Sequence, residues 1–177
     1  MRLLRVLLAV FRARWETRQR PLPPAIEWAR TRYTQLLAAD GSTLDALLRK
    51  VGLLQQDATH PLAGRMTALL ELTSRLPWQL WYEPDPQTHD QRCWPQILAV
   101  LRAGMLLIVD LGYTNFSVFA QLTQAQVTFI TRAKSNLVYQ VETTLQRNST
   151  VHDGLVWIGQ GVGPLPRRVV SLLDQRT

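Results

Sequence analysis

Met105-Leu-Leu-Ile-Val109 is an unbroken apolar run that ends on a carboxylate, Asp110. A run that short and that uniformly apolar fits a strand buried on both faces, which in an α/β fold lies at the centre of the sheet. The segment before it supports this. From His89 to Gly104 the apolar residues Trp94, Ile97, Leu98 and Leu101 recur at helical spacing, and Gly104 follows as it does after many helices. The same order returns downstream: Asn115 to Ala125 reads as a helix, and Val127-Thr-Phe-Ile-Thr131 as a short strand leading into Arg132 and Lys134.

Upstream, Leu36 to Ala39 is a second apolar stretch that runs into a carboxylate, Asp40, followed by Gly41 and Ser42. Arg65 to Thr73 and Trp78 to Tyr82 read as the arms of an antiparallel hairpin joined through Ser74 to Pro77. Ile26 to Leu37 fits a helix or the approach to a strand, and Thr43 to Gln56 fits helical or irregular structure. Asn136 to Arg147 is helix-like; Val151 to Ile158 and Arg167 to Leu173 are strand-like, separated by the glycines and prolines of residues 159–166. Leu3, Leu4, Leu7, Leu8 and Phe11, opposite several arginines, predict a basic amphipathic helix that Pro21 to Pro24 closes. Those arginines also interrupt what would otherwise resemble a signal peptide.

At 177 residues, 46% hydrophobic and 19% charged, the chain can bury one ordinary core. No stretch reaches the length of a membrane span, so no membrane association is expected. Cys93 is the lone cysteine, which excludes an internal disulfide and a cysteine-cluster zinc site and fits a cytoplasmic protein. A net charge of +7, carried mostly by arginine, suits a polyanionic partner but does not by itself establish one.

Asp40 and Asp110 therefore stand where α/β folds place ligand groups, just outside the carboxyl ends of strands. Two such acids on neighbouring strands would offer hard oxygen ligands to Mg²⁺ or Mn²⁺. The bland alternative, that each aspartate opens a turn, is the commoner case for an isolated strand end. Arg132 and Lys134 would either face a nucleic acid or end a solvated strand. His89 and Asp90 fit the opening of a helix. Tyr113 and Phe116 fit packing, and the six tryptophans fit apolar faces. His60 and His152 have no partners of zinc-site spacing.

The motifs Asp40-Gly-Ser-Thr-Leu44, Gly64-Arg-Met66, His89-Asp90, Leu106-Leu-Ile-Val-Asp-Leu-Gly-Tyr113 and Phe129-Ile-Thr-Arg-Ala-Lys-Ser-Asn136 occur in one order. In that order and content the chain resembles the DDE transposases of the insertion-sequence-four family over about residues 25–145. The resemblance implies an α/β, ribonuclease-H-like core: a mixed sheet flanked by helices, its first three strands antiparallel, incomplete at the C-terminus. It also implies a basic helical arm and proline-rich linker over 1–24, the partial core over 25–147, and the start of a β-rich insertion over 148–177.

Further implications of the resemblance concern chemistry. Asp40 and Asp110 become the first two catalytic, metal-binding acids, and Arg132 and Lys134 become DNA contacts. Two Mg²⁺ (or Mn²⁺) ions about 4 Å apart would serve phosphodiester cleavage and strand transfer, in the complete enzyme only. The partners would be double-stranded DNA, at transposon ends and targets, and a second copy of the full-length chain. The setting would be a bacterial cytoplasm, near the nucleoid. The family's third ligand, a glutamate within Tyr-x2-Arg-x3-Glu-x6-Lys, is not found in residues 1–177. Glu142 follows the Arg132 strand too closely and lacks that spacing. Hence the chain is expected to be truncated before the third acid, and inactive alone. The competing expectations are a non-catalytic DNA-binding or inhibitory remnant, and a ribonuclease-H-like nuclease unrelated to transposition.

Overall fold

A computed structural model describes residues 6–7, 9–11, 13–14, 21–43, 64–85, 88–134, 136–158 and 165–172. It divides into two compact units, residues 1–132 and 133–177. The described residues between Val6 and Arg14 are helical, as the spacing of the apolar arm predicts. The first unit then contains α1 (Pro24–Arg30), β1 (Leu36–Thr43), β2 (Arg65–Glu71), β3 (Leu76–Glu83), a 3-10 turn (Asp90–Cys93) leading into α2 (Trp94–Val100), β4 (Leu106–Val109), a second 3-10 turn (Leu111–Tyr113), α3 (Phe116–Gln124) and β5 (Thr128–Thr131). The reading of Thr43 to Gln56, Thr43 apart, and His60 lie outside the described residues.

The five strands form one sheet in the order β3-β2-β1-β4-β5. The first three are antiparallel neighbours. β4 joins β1 in parallel and β5 joins β4 in parallel, so the sheet is mixed. The change of direction has a simple cause: β1, β2 and β3 follow one another without an intervening described helix, whereas β4-α3-β5 is a helix crossover, which returns the chain in the same direction.

β4 occupies the buried position that its apolar run predicts. Leu107 is fully buried, Leu106 and Val109 nearly so, and on neighbouring β1 Leu36 and Leu37 are 1% and 0% exposed. Trp94 and Ile97 of α2 and Val118, Phe119 and Leu122 of α3 complete this core. Phe119 stacks on Phe129 of β5 at 4.5 Å between ring centres. Asn115 caps α3, its Oδ1 accepting from the backbone N–H groups of Ser117 and Val118 at 3.1 and 3.3 Å.

At the β2–β3 turn, Glu71 accepts from the Thr73 N–H at 3.1 Å, the Thr73 hydroxyl at 2.6 Å and the Ser74 N–H at 2.7 Å. Partial burial alone would raise its pKa; the hydrogen bonds outweigh it and bring the carboxyl below its ordinary value. Glu71→Ala is expected to cost about 1–2 kcal/mol by chemical denaturation at pH 7. Because the folded pKa is depressed, that stabilisation is complete above the ordinary glutamate value and fades as pH falls through the lowered one. An Ala/Glu difference unchanged from pH 7 to pH 3 would refute the assignment.

The second unit holds β6 (Tyr139–Arg147), β7 (Val151–Ile158) and β8 (Leu165–Leu172), an antiparallel sheet in that order. The helix expected over 136–147 is thus a strand. Its ladder with β7 is interrupted twice, between Val141 and Thr143 and between Thr144 and Gln146. These bulges erase the two-residue alternation that marks a strand, and Val138, Val141 and Leu145 then mimic helical spacing. The division at Arg132/Ala133 precedes this sheet, and the 147/148 boundary expected from sequence lies within the β6–β7 hairpin. The tryptophans also differ from expectation. Trp94 is 2% exposed, but Trp28 is 56% exposed and lies under the Arg32 guanidinium at 4.3 Å, while Trp78, Trp81 and Trp157 are half-buried.

Candidate active site

The parallel β1–β4 ladder pairs Ala38 with Ile108 and Ala39 with Val109. Its next step brings Asp40 beside Asp110, one residue past β4. The β4–β5 ladder pairs Val109 with Thr131, so Arg132 takes the corresponding place after β5. Asp40 does not end its strand, as the sequence suggested it would, because the ladder with β2 carries β1 on through its polar residues to Thr43, with Asp40 opposite Ala68. With Asp110 after β4 and Arg132 after β5 it forms a row across three neighbouring strands, all exposed. Lys134 is two residues further along the chain, in the second unit, and exposed.

Asp40 Oδ1 accepts from the Gly41 N–H at 2.9 Å. Asp110 Oδ1 accepts from Arg132 Nε at 2.9 Å and from Arg132 Nη2 at 2.6 Å. The Leu111 backbone N–H, with the Arg132 guanidinium, holds the Asp110 carboxyl below the usual aspartate range. It is therefore ionised at neutral pH, and a cation reaching it competes with an arginine rather than with a proton. Both acids are hard oxygen donors open to solvent, a donor set that fits Mg²⁺ or Mn²⁺ and suits neither zinc nor a soft metal. Among the described residues, no three acidic, imidazole or thiol groups gather where they could hold a metal. The acid pair thus offers part of a coordination shell.

Next to the pair lies a feature that sequence patterns assigned to helix capping. Asp90 does open a 3-10 turn, but its side chain turns inward and its Oδ1 accepts a hydrogen bond from Arg65 Nη2 at the start of β2. The signal was present, since Gly64-Arg65 and His89-Asp90 are both among the ordered motifs, yet nothing local couples residues so far apart. His89 makes no side-chain cap. Tyr113 is 1% exposed and packs edge-on against Trp94, whose Nε1 donates to the Tyr113 carbonyl at 3.1 Å. Burial first, and then the Asp90 charge, raises the Tyr113 phenol above its ordinary pKa. Burial likewise raises the thiol of Cys93, a free and inert core residue. His152 is half-buried in β7 opposite Arg147 and Ser171. Glu142 stands exposed on strand β6 rather than on a helix.

The fold and the acid pair define a class: an α/β protein with a mixed sheet that presents two exposed carboxylates on neighbouring parallel strands, where their shared ladder ends. More narrowly, the chain belongs to the transposase DDE domain family, whose model matches residues 37–161 and so spans both acids and Arg132. Members of this family generally work with divalent metal ions. Nothing among curated proteins matches the chain. A chain of the simian T-cell lymphotropic virus intasome, solved in complex with PP2A regulatory subunit B56 gamma, is similar at 11% identity and a TM-score of 0.38. The match covers 67% of this chain and 38% of that one. No helix among the described residues is long and apolar enough to cross a membrane.

Proposed function

We propose that this transposase domain supplies Asp40 and Asp110 as two of three acidic ligands for Mg²⁺ (or Mn²⁺) in the cleavage and strand transfer of DNA at the ends of an insertion sequence. The observation that carries the proposal is the β1–β4 register, whose next step sets the two acids side by side where that parallel ladder ends, inside the family match. The ordered motifs from Asp40-Gly-Ser to Arg132-Ala-Lys134 support a reading of the chain as one of the insertion-sequence-four group, with a ribonuclease-H-like core. When bound, the ions lower the barrier to attack on a phosphodiester by polarising it and the attacking oxygen. Asp40 and Asp110 hold that charge in place. Arg132 balances Asp110 and is free, on a cation's arrival, to turn its planar fork toward a DNA phosphate; Lys134 adds a second cation two residues on. The enzyme acts as a dimer on DNA, in the bacterial cytoplasm.

A second reading for residues 1–177 taken alone is DNA binding or inhibition without catalysis, since among the described residues no three groups are placed to hold a metal together. Filter binding of duplex DNA carrying the element's ends, over a range of salt, tests the shared part. Affinity is expected to fall steeply with salt, and Arg132→Ala to weaken binding and reduce the slope of log K against log salt by about one. A flat salt response would remove DNA binding from the proposal. Cleavage of the same DNA with Mg²⁺, lost in Asp110→Asn, would decide for the enzyme; tight binding without cleavage would decide for the non-catalytic reading.

A further inference from the structure

Arg65 and Asp90 are not in the row of Asp40, Asp110 and Arg132, yet they lie against both segments that carry the acids. Arg65 begins β2, opposite Thr43 of β1 and Glu83 of β3. The Arg65 and Asp90 side chains are only 18% and 22% exposed. A Cβ added to Gly41, the residue after Asp40, would strike Asp90 Oδ1 and stand 2.8 Å from Arg65 Nη2. One added to Gly112, two residues after Asp110, would stand 2.5 Å from Asp90 Oδ2. The two oxygens of a single carboxylate therefore rest on the backbones of the two acid-bearing segments, each at a glycine, where the missing side chain permits the approach.

This contact falls where the pairing of β1 with β4 stops, while β1 runs on against β2 to Thr43. The β1–β4 ladder ends at Ala39 and Val109, one residue short of the acids. Beyond it, the separation of Asp40 from Asp110 depends on what lies between Gly41 and Gly112, and that is the Asp90 carboxylate. Arg65 neutralises Asp90 and ties it to β2, so the group keeps its place without an unpaired charge half-buried beside two other acids.

We infer that Asp90, held by Arg65, is a positioning residue that sets the spacing of Asp40 and Asp110 so that one divalent cation meets both. The inference rests on the metal-ligand role proposed for those two acids. Asp90 itself is not counted as a ligand: among the described residues no three acidic, imidazole or thiol groups, Asp90 included, are placed to hold a metal together.

Mn²⁺ binding to the 177-residue chain, followed by the paramagnetic signal of free Mn²⁺ and paired with thermal melts, tests it. Asp90→Asn keeps the shape of the side chain and is expected to weaken Mn²⁺ binding by about 10- to 100-fold, the usual effect of losing a group that orients metal ligands. Gly112→Ala keeps every charge but drives a methyl against Asp90 Oδ2, and a similar loss is expected. A purely structural role would lower the melting temperature of both variants while the folded protein kept its affinity, and that result in either folded variant overturns the inference. Asp40→Asn is the reference. If Mn²⁺ binding survives in Asp40→Asn, the metal-ligand reading fails and the positioning role falls with it. If binding is lost there and kept in Asp90→Asn, only the positioning role fails.

Discussion

Asp110→Asn is expected to lose Mn²⁺ affinity on the order of 100-fold or more at pH 7, with little change in melting temperature. The substitution preserves shape and removes the formal charge, and a hard divalent cation is held by charge far more than by amide dipoles. Stability should be nearly untouched because the group is exposed, extending past the end of β4 rather than packing within it. Its ion pair with Arg132 is exposed on both sides, and such pairs contribute little to folding. The measurement is a direct Mn²⁺ titration of both proteins. Equal affinities would remove Asp110 from the metal-ligand role and leave the acid pair without a function.

The second large effect concerns the strand that carries Asp110. Leu107→Ala is expected to reduce the free energy of unfolding by about 3–4 kcal/mol, read from the midpoint of a urea transition. Leu107 is 0% exposed, and its strand is sandwiched between β1 and β5, paired with Leu37 on one side and Phe129 on the other. Truncation forfeits the transfer free energy of the lost methyl groups and leaves a cavity that a strand held by ladders on both edges cannot collapse to fill. Marginal stability is only about 5–15 kcal/mol in a typical domain, so the loss should be conspicuous. A change under about 1 kcal/mol would mean that β4 is not the packed centre of this sheet.

The features legible in the sequence share one property: each is written in a short window. The apolar run before Asp110 reports burial on both faces, which only a central strand combines with so short a length. The Arg65-to-Tyr82 hairpin and the helix before β4 are set by local periodicity and punctuation. Asp40 and Asp110 could be singled out because a carboxylate directly after an apolar run is visible without knowing the run's neighbours, although only Asp110 proves to follow its strand while Asp40 lies within β1. Their membership in a transposase domain rested on motifs in order, and the family match covers the same segment.

Other features were decided in three dimensions. Strand β6 carries a helical mimic because its bulges break alternation and its nine residues are all exposed, so the ladder with β7, not side-chain pattern, makes it a strand. Trp28 is apolar by type, yet exposed, since burial depends on what packs against a residue. Arg132 meets Asp110 only because β5 pairs with β4, and Arg65 meets Asp90 across a separation of 25 positions. The sequence by itself determined which two apolar runs are buried strand segments and that an acid closes each run, because the hydrophobic effect acts on each residue's own side chain; that β1 continues past Asp40 to Thr43 was decided by its pairing with β2. The tertiary structure alone decided that these acids are neighbours, and which arginine and which third carboxylate stand beside them, because strand pairing and ion pairing depend on distances that no local window contains.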